Sequence, residues 1–213
     1  MSGSIIWVEG LIGSGKTTLT EKIAQTLNLR ALYEPVEANP YLKIFYEDPK
    51  RWAFPMQIHL LHCRYALQKL AAYEATTTGG YAGAVIDRGL PGDRVFCRLH
   101  MLAGNISELE WQTYEKAYDI MTGSLTPPSL LLFLNVEPEV ALERIKKRNR
   151  GAETSMTLDY LVRLRKGYLD LLVEIESGEH AWSRGMRVVQ IPWNTDHQPI
   201  DKLIDILKHQ LRL

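Results

Sequence analysis

The segment Gly10-Leu11-Ile12-Gly13-Ser14-Gly15-Lys16-Thr17 fits the pattern GxxxxGK[ST], which suits a loop that holds a chain of phosphates. Glycines let successive backbone amides turn inward toward phosphate oxygens, and a helix beginning at the lysine adds its positive N-terminal end. Lys16 can then reach the terminal phosphates, and the Thr17 hydroxyl is a hard oxygen donor of the kind magnesium takes. The pattern implies a bound nucleoside triphosphate, ATP or another, but not the fate of its γ-phosphate, because GTPases, motor ATPases and small-molecule kinases share it. The chain has no Asn-Lys-x-Asp sequence for guanine and no second ATPase module, which leaves a small-molecule kinase as the best class.

Such a loop needs a strand before it and a helix after it. Residues 4–9 read as a strand and Lys16–Leu27 as a helix. Further strands are expected at 31–33, 84–87, 130–136 and 187–191, and helices at 51–75, 91–103, 107–122, Pro138–Arg148, 158–177 and Ile200–Leu211. Ser107 and Glu110 form a capping box, and Pro55 falls in the first turns of its helix, where a missing amide costs little. The alternation predicts an α/β fold with a central parallel sheet and helices on both faces. Glu34 then sits at the carboxyl end of a strand, the edge where active sites of open α/β sheets collect.

The remaining arithmetic bounds the class. With 213 residues the chain has the length of one α/β domain, expected to span 1–213. Lys plus Arg and Asp plus Glu number 25 each, so the net charge is zero, which argues against a nucleic acid polymer as partner. Cys63 and Cys97 form no CxxC pair, which points away from a disulfide scaffold or a zinc site and toward a reducing, cytoplasmic setting. Apolar runs such as 130–134 fall far short of the roughly 18 residues of a membrane span.

The helix at 51–75 carries two apolar stripes, one of Trp52, Met56, Leu60, Cys63, Leu67 and Leu70 and one of Phe54, Ile58, Leu61 and Tyr65. Together with 107–122 this is more apolar helix than one sheet face needs. A homodimer through these helices is therefore expected, with a larger core as the alternative. Gln57 and Arg64, two helical turns apart, point from one face of the long helix into a common cleft.

Motifs in order then carry a resemblance. They are residues 10–18, Glu34-Pro35-Val36, residues 46–52 leading to Gln57 and Arg64, Asp87-Arg88 with Asp93-Arg94, and the arginine run 144–150 with Glu153. Over nearly its whole length the chain resembles the deoxyribonucleoside kinases, and it looks more like the deoxycytidine, deoxyguanosine and deoxyadenosine kinases than the thymidine-accepting ones.

The resemblance implies a P-loop NTPase-type three-layer fold with a short arginine-rich lid at about 144–156. It implies ATP-dependent phosphorylation of a deoxynucleoside at its 5′-hydroxyl, in nucleotide salvage, with Glu34 as general base. Lys16, Arg88, Arg148 and Arg150 are the implied catalytic cations, and Thr17 and Asp87 the implied magnesium site. Thr18, Arg144, Arg148 and Asp196 extend the loop's contacts to the nucleoside triphosphate, Asp196 from a segment that packs on adenine in such enzymes. Gln57, Arg64 and Asp93 resemble the base-reading set, Glu34 and Arg88 also face the acceptor, and Tyr46 and Glu153 match the pair that holds the sugar 3′-hydroxyl.

Two positions depart from the pattern. Gly89 stands where serine is usual, which is expected to loosen the turn, and Ala152 stands where an acid is common in the lid. A thymidylate kinase-like acceptor is the alternative, but such enzymes carry Glu-Pro-Gly-Gly where this chain has Glu34-Pro35-Val36-Glu37. A non-catalytic kinase-like subunit is the other alternative, and an intact Lys16, Thr17, Glu34 and Asp87 argues against it.

Overall fold

A computed structural model of the chain describes residues 3–33, 39–77, 80–149, 156–195 and 200–211. Five strands, β1 (Ser4–Gly10), β2 (Arg30–Leu32), β3 (Gly83–Asp87), β4 (Leu130–Asn135) and β5 (Arg187–Pro192), form one parallel sheet in the order β2-β3-β1-β4-β5. Strands β1, β3 and β4 are almost continuously apolar because all three lie inside the sheet with both faces covered. Val8 pairs with Asp87 and Gly10 with Leu134, so the end of β1 lies between the ends of its two neighbours. The strand order reverses direction at β1, and the phosphate loop springs from that point.

The helices are α1 (Lys16–Leu27), α2 (Leu42–Glu47), α3 (Pro49–Thr76), α4 (Leu90–Leu102), α5 (Glu108–Gly123), α6 (Pro138–Arg148), α7 (Leu158–Glu176) and α8 (Ile200–Leu211). Among the described residues none is long and apolar enough to cross a membrane. The capping box at Ser107 and Glu110 forms as expected. The short α2 is unforeseen in the sequence because its six residues are too few to show a period. Asp48 caps α3, accepting from the Arg51 amide at 3.2 Å, so Pro49 takes the N-terminal proline position and Pro55 lies inside the helix rather than in its first turns.

The buried face of α3 also differs from expectation. Ala53, Gln57, Leu61, Arg64, Gln68, Ala71 and Ala75 line it, at helical spacing. Of the two apolar stripes only Met56 and Leu61 are buried, and the others flank that face half-buried. Arg64 and Gln68 can sit inside because partners await them. Gln68, for one, accepts from the Trp7 indole N–H at 2.7 Å and donates to the Thr126 carbonyl at 3.1 Å.

Part of the surplus apolar surface is taken up within the chain. A second core, separate from the one around the sheet, packs Phe45 of α2, Met56 and Leu61 of α3, Leu90 and Cys97 of α4 and Tyr114 and Tyr118 of α5. The larger core weighed as the alternative to a dimer is thus present.

Candidate active site

The phosphate loop folds as its glycines permit. Gly13 has φ +78°, and a Cβ there would meet the Ala141 carbonyl 2.6 Å away and Ile145, so only glycine lets the loop lie against α6. Gly15, at φ +89°, is the N-cap of α1. Lys16 is buried and curls over the loop, its Nζ donating to the carbonyls of Leu11 (2.7 Å) and Gly10 (3.2 Å). The buried Ser14 hydroxyl has no hydrogen-bond partner among the described residues, as expected of a donor that awaits a ligand. Thr17 and Thr18 are exposed on the first turn of α1.

Thr17 Oγ1 donates to Asp87 Oδ2 at 2.5 Å. A hydroxyl and a carboxylate therefore meet at the loop, and such hard oxygen donors fit magnesium, which takes few protein ligands and fills its shell with phosphate and water. Among the described residues no group of three His, Cys, Asp or Glu side chains is placed to hold a metal by itself.

Arg88 follows β3 with φ +71°, a conformation that costs a non-glycine residue on the order of 1–3 kcal/mol and marks a site where something holds it. Its amide donates to the Val8 carbonyl at 3.0 Å, its guanidinium carbon lies 4.5 Å over the Phe96 ring, and its Nη1 donates to the Tyr168 hydroxyl at 2.5 Å. Gly89 does not loosen this turn. A Cβ there would stand 2.7 Å from the Trp7 indole, so tryptophan in β1 fills the space a larger residue would need, and the Gly89 amide donates to Glu9 at 2.8 Å.

The residues expected to read the base lie further along, on α3 and α4. Asp93, fully buried in the first turn of α4, forms an ion pair with Arg64 of α3 and accepts from the Tyr114 hydroxyl of α5 at 2.6 Å. Burial pushes the Tyr114 phenol well above its ordinary value, so it remains a donor to that carboxylate. Gln57 is buried beside them in sequence register, and its Oε1 has no partner among the described residues. Tyr46 lies on α2, 40% exposed. It is near Tyr160 of α7, whose phenol is raised mainly by burial and further by Tyr46.

Arg148 is exposed on the last turn of α6, and Asn149 ends that helix in a left-handed conformation. Arg144 sits one turn earlier and donates to the carbonyls of Trp193 (3.0 Å) and Thr195 (3.3 Å), tying α6 to the segment after β5. That segment borders the phosphate loop, since Trp193 Nε1 lies 3.4 Å from where a Cβ on Gly15 would be. Trp193 had no motif to mark it and reads from sequence as packing only. Glu34, Arg150, Glu153 and Asp196 lie outside the described residues, so the expected general base and half of the expected lid have no structural account.

Sequence reasoning also missed Glu9, Tyr114 and Tyr168. Glu9 had a usable signal, a lone charge in an apolar strand directly before the phosphate loop. Tyr114 and Tyr168 are remote in sequence from the residues they touch and had none.

The chain is similar to proteins of known family. A family model described as deoxynucleoside kinase matches residues 6–202. The chain is 35% identical over 208 residues to deoxyadenosine kinase of Dictyostelium discoideum, covering 98% of this chain and 79% of that one. It is 36% identical over 168 residues to deoxyadenosine/deoxycytidine kinase of Bacillus subtilis (strain 168), covering 78% and 75%. Among solved structures, deoxyadenosine kinase from M. mycoides with bound dATP superposes with a TM-score of 0.78 at 25% identity, covering 99% of this chain and 100% of that one. A parallel sheet that reverses at a GxxxxGK[ST] loop, with this family match over almost the whole chain, makes the protein a member of the deoxynucleoside kinase family.

Proposed function

We propose that the protein transfers the γ-phosphate of ATP, or another nucleoside triphosphate, to the 5′-hydroxyl of a deoxyribonucleoside in nucleotide salvage. Deoxyadenosine, deoxyguanosine or deoxycytidine is the acceptor in preference to thymidine, in line with the names of the relatives. The observation that carries the reading is the β3–α4 connection. Asp87 at its start bonds Thr17 of the phosphate loop, and Asp93 at its end pairs with Arg64, so one short turn couples a phosphate site to a buried polar cluster of base-reading type.

In this mechanism the nucleoside base enters beside Gln57, whose amide can donate and accept along a base edge, while Asp93 holds Arg64 in place. Tyr46 and Glu153 hold the sugar. Glu34 accepts the proton of the 5′-hydroxyl as that oxygen attacks, a modest demand because phosphoryl transfer through a loose transition state asks chiefly for positioning and charge neutralisation. Lys16 leaves the Gly10 and Leu11 carbonyls for the phosphate oxygens, and Arg88, Arg148 and Arg150 stabilise charge on the transferred group. Magnesium, held by Thr17 and Asp87, neutralises phosphate charge when bound. Arg144 acts from α6, where it is tied to the segment after β5, with Asp196 at the adenine. A homodimer would use what α5 leaves uncovered, where Leu109 is 73% and Ile120 77% exposed.

The test is Glu34→Gln assayed with magnesium and ATP. A drop in kcat of about 10²–10⁴-fold with nucleoside binding retained supports the general base, and normal turnover refutes it.

A further inference from the structure

Glu9 is the sole charged residue of β1 and is completely buried. Burial raises its carboxyl from the ordinary value, and Arg88 and the Gly89 amide oppose that most strongly. One oxygen accepts from the Gly89 amide at 2.8 Å and the other from the Tyr168 hydroxyl at 3.0 Å. Room for the carboxylate exists because Gly92 has no side chain, since a Cβ there would run into both Glu9 oxygens. The Tyr168 hydroxyl in turn accepts from Arg88 Nη1 at 2.5 Å. The phenol stays protonated, because burial pushes it well above its ordinary value, so the direction of this chain of bonds is fixed from guanidinium to hydroxyl to carboxylate. Tyr168 comes from α7, on the far side of β4 in sequence from everything else in the group, and its ring is held at 5.6 Å from Phe133 and 6.4 Å from Phe96.

We propose that Tyr168 is a positioning residue for phosphoryl transfer, its hydroxyl bridging Arg88 to the buried Glu9 so that the guanidinium is set before the triphosphate arrives. The proposal rests on the placement of Arg88 at the phosphates given above. Arg88 leaves a left-handed backbone, and the Tyr168 hydroxyl on one side and the Phe96 ring on the other hold its guanidinium in place. A group fixed in advance stabilises developing charge without reorganising at the moment of transfer, so its loss falls on turnover rather than on nucleoside binding.

The experiment is a double-mutant cycle of Tyr168→Phe and Arg88→Gln, with kcat and nucleoside KM measured at saturating magnesium-ATP and melting followed in each variant. Phenylalanine keeps the ring packing and removes only the hydroxyl. The expected result for Tyr168→Phe is a kcat lower by about tenfold or more with a nucleoside KM within about threefold, and little further loss when the same change is made on Arg88→Gln. Equal losses in both backgrounds would show a structural role and overturn the proposal, as would a kcat within about twofold of the parent. Full turnover in Arg88→Gln would overturn the placement of Arg88 and the proposal with it, whereas an impaired Arg88→Gln beside an unimpaired Tyr168→Phe overturns the proposal alone. Should Tyr168→Phe fail to fold, Glu9→Gln takes its place in the cycle with Arg88→Gln: a kcat loss confined to the Arg88 background supports the bridge, and none overturns it.

Discussion

The side of this molecule proposed to bind phosphate and the side proposed to read the base are built in different ways. On the phosphate side, Asp87 ends β3 in register with Val8 of β1, Arg88 follows with its amide bonded to the Val8 carbonyl, and Lys16 and Thr17 open α1 after the loop that leaves β1. On the base side, Gln57, Arg64 and Asp93 stand on helices α3 and α4, and side-chain pairing fixes them: an ion pair, a tyrosine hydroxyl and a second core of aromatic and aliphatic residues. The first arrangement is stiff because the sheet is; the second is only as good as its buried polar bonds. Acceptor choice within one family can therefore be altered on the helices without disturbing the transfer chemistry at the sheet edge.

The largest expected effect strikes at the weaker partner in that comparison. Asp93→Ala leaves Arg64 buried without its carboxylate and the Tyr114 hydroxyl without its acceptor, and loss of one member of a buried pair costs about 3–5 kcal/mol. Thermal melting should show that loss, and the surviving protein should show a raised nucleoside KM. A variant that melts like the parent would mean that the helical layer does not depend on this pair.

Acid should also weaken the base side first. His100 ends α4 against the Phe45 ring at 5.1 Å, and burial lowers its pKa to about 4 from 6.5. Its folded value lies below its unfolded one, so the stability tied to its neutral form is complete above pH 6.5 and is lost as the pH falls toward 4. Over that window the loss amounts to about 3 kcal/mol. Glu9, raised in the fold, works with the opposite sign on the acid side, so the comparison must be differential. The stability of the parent relative to His100→Leu should fall as the pH drops across this range, and parallel pH profiles would contradict the assignment.

A smaller effect sharpens the description of the phosphate side. Gly89→Ser restores the residue usual in such kinases, yet its Cβ meets the Trp7 ring at 2.7 Å, and overpacking of this kind costs about 1–3 kcal/mol. Melting of Gly89→Ser should reveal that cost. If Gly89→Ser is as stable as the parent, the turn is not held by Trp7.

The same contrast explains what could be read in the sequence. The strands, most helices, the phosphate loop and the capping box at Ser107 were legible because each is a local pattern: a short apolar run, a period, a glycine spacing. The buried face of α3 was not, because apolar residues on both flanks of the helix hid a face on which Arg64 pairs with α4 and Gln68 with β1 and the segment after α5. Tyr168 escaped for a related reason: its meaning lies in a contact with Glu9 that spans 159 residues, which no local spacing announces. Gly89 was misread because its counterpart, Trp7, sits on another strand.

The central claim is that the phosphate loop and the Gln57, Arg64 and Asp93 cluster serve one reaction on a deoxynucleoside. Steady-state phosphorylation with magnesium-ATP tests it, with the four natural deoxynucleosides, the ribonucleosides and the deoxynucleoside monophosphates offered in parallel. Conversion of deoxyadenosine, deoxyguanosine or deoxycytidine to its monophosphate, with thymidine and ribonucleosides poorly used, is the expected result; turnover of monophosphates alone, or of none of these acceptors, would contradict it.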